Sequence, residues 1–132
     1  MHSHRPGWSH TAGQAVVEFA IAGVLFFMIV FGTVDFGRAI FVYSELTNAV
    51  REGARYAQIH PTQTAGIKDV VVNKSPSLGI RAADVTVSCS PGGCEPGGTV
   101  RVTARLHFQA VTQRLLGIRP LTLQASAENV IE

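Results

Sequence analysis

An uncharged apolar run from Phe19 to Val34, broken only by Gly23, Gly32 and Thr33, constrains this chain more than any other feature. With Ala15 to Val17 it makes a segment of about 20 residues, enough to cross a hydrocarbon core as a helix. At its head stands Gly13-Gln14-Ala15-Val16-Val17-Glu18-Phe19, with one carboxylate and no basic partner beside it. Such a group costs on the order of 2–3 kcal/mol at mid-membrane and less near the interface. A residue kept at that cost usually has a role, the plain alternative being an interfacial acid at the start of the span. A secretory signal would show a basic start, a shorter apolar core and a small-residue cleavage site. Here Asp35-Phe36-Gly37-Arg38 follows the run, so a retained span is favoured.

Beyond the run the apolar pattern continues at helical spacing. Phe36, Ile40, Tyr43, Leu46, Val50, Ala54 and Ala57 alternate steps of three and four, which predicts one helix from about Gln14 to Ile59 with this face buried. Glu45, Arg51, Glu52 and Arg55 lie off that face, with Glu52 in reach of Arg55 at i+3. His60-Pro61 ends the helix. A shorter helix is expected over Thr64 to Lys74, with Ile67, Val70 and Val71 on one face, closed by Ser75-Pro76-Ser77. Within the span, glycines permit close approach of another helix.

Alternation of period two then marks three strands. Val85 and Val87 oppose Thr86 and Ser88. Val100, Val102, Ala104, Leu106 and Phe108 oppose Arg101, Thr103, Arg105 and His107. Leu121, Leu123, Ala125 and Ala127 oppose Thr122, Gln124, Ser126 and Glu128. Ala110 to Leu116 suits a short helix closed by Gly117. The expected architecture is α+β: a long N-terminal transmembrane helix projecting into a small antiparallel-sheet domain, whose apolar face the projecting helix and the 64–74 helix cover. The divisions are a leader and tail at 1–13, a span at 14–35, its continuation at 36–59, and a domain at 60–132.

The short domain has a thin core and would gain from a staple. Cys89 and Cys94 flank Ser-Pro-Gly-Gly and are the only cysteines. A bond between them would stabilise by about 2 kcal/mol and place the domain outside the cytosol. Two free thiols or half of a zinc site are the alternatives, the latter lacking a second ligand pair at zinc spacing. Charge leaves orientation open, because Arg5 precedes the span while Arg38, Arg51 and Arg55 follow it.

The net charge of +2 comes from scattered basic residues, unlike the clustered stripe of a nucleic-acid binder. His2, His4 and His10 read as part of a flexible polar tail, Trp8 as an interfacial residue, and His107 as part of a solvated strand face. Asp35 and Arg38 are spaced to pair at the membrane edge. The glycine pairs at 92–93 and 97–98 are turn glycines beside prolines, not a phosphate loop. The pattern predicts no enzyme, cofactor, metal or small-molecule substrate.

Three stretches together, Gly13 to Ala20, Asp35-Phe36-Gly37-Arg38-Ala39, and Asn48 to Ala57 with Arg51-Glu52-Gly53-Ala54-Arg55 at its centre, resemble the TadE-like family. These are minor pseudopilins of the tight-adherence, Flp-type pilus machinery. The resemblance implies cleavage between Gly13 and Gln14 by a membrane-embedded prepilin peptidase. Glu18 then becomes the fifth mature residue and pairs with the N-terminal amine of a neighbouring subunit. It further implies a single-pass inner-membrane protein with its C-terminal domain extracytoplasmic, partnered by the bilayer, the peptidase, other pseudopilins and the Tad assembly platform. It assigns the Asp35 to Ala57 motifs no derivable role beyond packing against partner pseudopilins. The chain departs from the family in one respect: Ser9-His10-Thr11-Ala12 stand where an arginine or lysine usually precedes the glycine. Two other functions stay open at this point, an uncleaved bitopic scaffold of the secretion platform and an anchored surface-binding module.

Overall fold

In the computed structural model, residues 10–132 are described; residues 1–9, with the tail assigned to them and Trp8, His2 and His4, lie outside the described residues. Helix α1 spans His10–Ile59, roughly 75 Å at 1.5 Å per residue. It starts four residues before the expected Gln14. Thr11 and Ala12 offer no break, and extending an existing helix fixes one residue per hydrogen bond gained, unlike starting one. At the far end His60 N–H still donates to Tyr56 O at 3.0 Å, and the chain turns at Pro61.

The shaft of α1 is bare. Phe19 and Ile29 stand more than half exposed, no large apolar residue from Val16 to Val34 is buried, and the helix is long and apolar enough to cross a membrane. Burial begins at Asp35 and becomes continuous from Leu46. The buried line is Asp35, Ala39, Val42, Leu46, Ala49, Val50, Gly53, Ala54 and Ala57, with Ala39 and Val42 half-buried. This corrects the expected stripe in its first half: Phe36, Ile40 and Tyr43 are exposed. They lie one residue, about 100°, around the helix from the line that meets the domain. Small residues and one carboxylate face inward there, and the large apolar ones face out.

Helix α2, Thr64–Lys74, packs antiparallel to the end of α1 and buries Ile67 and Val71. Its approach is close. A Cβ on Gly53 would stand 2.4 Å from Val71 Cγ2, so only glycine fits that position without movement. Ser75 ends α2 with its hydroxyl donating to Val71 O at 2.8 Å, and two single-turn helices at Pro76–Leu78 and Ala82–Asp84 lead into the sheet.

Strands β1 (Val85–Ser90), β2 (Thr99–Phe108) and β3 (Leu121–Val130) form an antiparallel sheet in the order β1-β2-β3. Val85, Val100, Val102, Ala104 and Ala125 turn their side chains onto α1 and α2, where Leu46, Val50, Ile67 and Val71 complete the core. On the solvated face, register places Arg101 opposite Glu128, Arg105 opposite Gln124 and His107 opposite Thr122. Arg101 and Glu128 form an ion pair, Arg105 Nε donates to Gln124 at 3.1 Å, and His107 Nδ1 lies 3.2 Å from the Thr122 hydroxyl. His107 thus belongs to a cross-strand polar ladder. Cys89 and Cys94 are bonded to each other across the β1–β2 connection. Gly97 and Gly98 exchange backbone hydrogen bonds with Ile131 at 2.9 and 2.8 Å, and Gln58 on α1 binds the Glu132 carboxylate. The β1–β2 connection and the last residues of the chain are therefore fastened to each other and to α1.

Candidate assembly site

The N-terminal motif lies on the bare shaft. Gly13 and Gln14 are both helical, and Glu18, one turn on, is exposed among apolar neighbours. Its one hydrogen bond among the described residues comes from Gln14 Nε2, at 3.3 Å. An i,i+4 amide contact of this length stabilises weakly and leaves most of the carboxylate's acceptor capacity unused. Gly23 and Gly32 face open space on the same shaft.

The second motif does something the local pattern does not show. Between β2 and β3 the chain forms α3, Val111–Leu116, closed by Gly117 in the left-handed region at φ 67°. Its N-cap position is Ala110, which has no side-chain acceptor. The acceptor comes from 76 residues away. Val111 N–H donates to Asp35 Oδ1 at 2.9 Å, and Thr112 donates its N–H at 2.7 Å and its hydroxyl at 2.6 Å to Asp35 Oδ2. Ala110 N–H goes to Gln113 Oε1 at 3.1 Å, so three donors that open this helix are satisfied. Asp35 is 5% exposed, and this buried carboxylate is the cap of a helix remote in sequence.

Arg38 holds the other side of the same connection. Its guanidinium lies 3.8 Å from Asp35 Oδ1, as the i,i+3 spacing implies, and 5.6 Å from the ring centroid of Phe108 at the end of β2. Asp35 and Arg38 together clamp the β2–α3 link against α1 where the shaft meets the domain. Phe36 points outward, and Gly37 has open space around its Cα. The signal that could have revealed the clamp was the helix at 110–116 with an alanine in the capping position: its missing acceptor had to come from elsewhere.

The third motif divides by face. Gly53 and Ala54 are buried in the α1–α2–β2 core, Arg51 and Arg55 are exposed, and Glu52 is half-buried. With Asn48, Gln58 and the end of β3, the polar members line an open groove of about 780 Å³. Glu52 and Arg55 do not pair; among the described residues the ion pairs are Asp35–Arg38 and Arg101–Glu128. An ion pair this close to solvent gains little over solvation, so spacing alone does not form it.

Residues 13–55 match the family model for TadE-like protein, the family that the three motifs resemble. The matched segment takes in the glycine–glutamate head, the bare shaft, the Asp35–Arg38 clamp and the Arg51 to Arg55 stretch, and stops before α2. No curated protein and no solved structure matches the chain significantly.

Proposed function

We propose, from the match of residues 13–55 to TadE-like protein, that this chain is a minor pseudopilin serving assembly of a Tad/Flp-type adherence pilus. A prepilin peptidase cuts between Gly13 and Gln14, the α1 shaft spans the inner membrane once, and the domain stands on the extracytoplasmic side. The Cys89–Cys94 bond supports that side, since disulfides persist outside the cytosol. The chain performs no catalysis and binds no nucleic acid or small-molecule substrate; its partners are the bilayer, the peptidase, other pseudopilins and the assembly platform.

The observation that carries this reading is Glu18. It stands exposed on an apolar helix, and among the described residues its one hydrogen-bond partner is the Gln14 amide. A carboxylate in that setting becomes tolerable when a cation is brought to it. Cleavage after Gly13 creates such a cation, the Gln14 amine of the next subunit. In a strain deleted for this gene, wild-type protein restores pili, whereas Glu18→Ala accumulates in the membrane without restoring them. Normal piliation by the variant would remove the pairing role.

A further inference from the structure

The stretch from Val111 to Leu121 is apolar where a soluble domain would be polar. Val111, Leu115, Leu116, Ile118 and Leu121 are each half or more exposed, Leu115 reaching 76%. No acidic residue occurs between Gln109 and Ala127, and two exposed arginines, Arg114 and Arg119, are interspersed. This patch is not at the far end of the domain. Asp35 ties the start of α3 to the end of the shaft, and α3 runs back from there along α1 toward its N-terminus. Leu115 and Leu116 share a groove of about 480 Å³ with Phe19, Val24, Phe27 and Phe31, and Thr112 is its one polar wall. The exposed leucines thus lie level with residues of the membrane-length helix.

We propose that Val111–Leu121 is a second membrane contact, in which α3 and the loop behind it insert into the leaflet on the domain's side, beside the shaft. The inference rests on the reading that the α1 shaft spans the bilayer. If residues 14–34 are in hydrocarbon, the level of Phe31 is one turn, about 6 Å, below Asp35, and side chains beside it share that environment. The depth agrees with the roughly 5–10 Å at which interfacial helices bury their apolar faces. Lipid fits as the occupant because the patch is continuous with the span and faces both into the groove and away from it. A single docked helix would cover only one of those sides. Arg114 and Arg119 have stems long enough to carry their charges up to headgroup phosphates. The Asp35 cap then acts as the anchor that holds this hook at its depth, and the domain is fixed to the membrane at two points rather than swinging on one.

The test uses the full chain in lipid nanodiscs, in a Trp8→Phe background that removes the only native tryptophan. Leu115→Trp and Leu116→Trp, both at exposed positions, report on the hook; Phe27→Trp reports on the shaft, and Thr86→Trp on the solvated strand face. Emission is compared in ordinary lipids and in lipids brominated on their acyl chains. The proposal predicts quenching of roughly twofold or more for both hook variants and for Phe27→Trp, with Thr86→Trp unchanged. Quenching at Phe27→Trp with none at either hook position overturns the proposal and leaves the span intact. A blue-shifted but unquenched hook also overturns it, and assigns the patch to a protein neighbour. If Phe27→Trp is unquenched as well, the spanning shaft fails and this inference fails with it.

Discussion

Replacing Gly53 by alanine should destabilise the domain, although alanine is the better helix former. In an open helix the change is worth about 1 kcal/mol in alanine's favour. At position 53 the new methyl would lie 2.4 Å from Val71 Cγ2, and Val71 is fully buried. Valine is stiff at χ1, and its neighbours are packed, so the methyl is not the end of a yielding side chain. Relief requires α1 and α2 to part by close to 1 Å, an overpacking cost near the upper end of the usual 1–3 kcal/mol. Subtracting the propensity gain leaves a net loss of about 2 kcal/mol. Amide exchange of β2 in nanodiscs should then be about 30-fold faster if it proceeds through opening of the whole domain. Val71→Ala removes the obstructing methyl, so in that background Gly53→Ala should reverse sign and slow exchange. Gly37→Ala, with open space around it, should be neutral or mildly stabilising. Equal effects of Gly53→Ala with Val71 and with Ala at that position would refute the close-approach account.

Asp35→Asn keeps the shape of the clamp but replaces one acceptor oxygen by an NH2 that faces a donor; exchange over residues 111–116 should quicken by about tenfold or more while β1 and β2 stay unchanged. Unchanged exchange in α3 would show that the carboxylate does not hold it. Replacing Cys89 and Cys94 together by serine should cost about 2 kcal/mol, read as faster exchange at the β1–β2 end of the sheet; no loss would mean that the Gly97, Gly98 and Ile131 hydrogen bonds alone hold that turn.

Much of this fold is legible in the sequence because it is local. Period-two alternation located the three strands, Pro61 and Ser75-Pro76 bounded α2, and Gly117 closed α3. The long helix was legible too, but not which side of it meets the domain. Hydrophobicity alone selects Phe36, Ile40 and Tyr43, the large residues. On this helix, long and apolar enough to cross a membrane, these large apolar side chains face outward, and Ala39 and Val42 turn inward instead. One residue of phase separates the two stripes, and only contact with the sheet decides between them. Asp35 shows the same limit more sharply. Its spacing to Arg38 is local and visible; its bonds to Val111 and Thr112 depend on the sheet bringing α3 back to the helix. Glu52 and Arg55 show the converse, since spacing that permits a pair does not supply the energy to form it.

Processing after Gly13 is the claim on which the role of Glu18 depends, and intact mass tests it directly. The protein would be expressed with and without its prepilin peptidase, extracted from the membrane and weighed. The account predicts loss of residues 1–13 only when the peptidase is present, leaving Gln14 as the mature N-terminus. A full-length mass in both cases would contradict it, and would make the chain an uncleaved membrane scaffold with Glu18 as an interfacial acid.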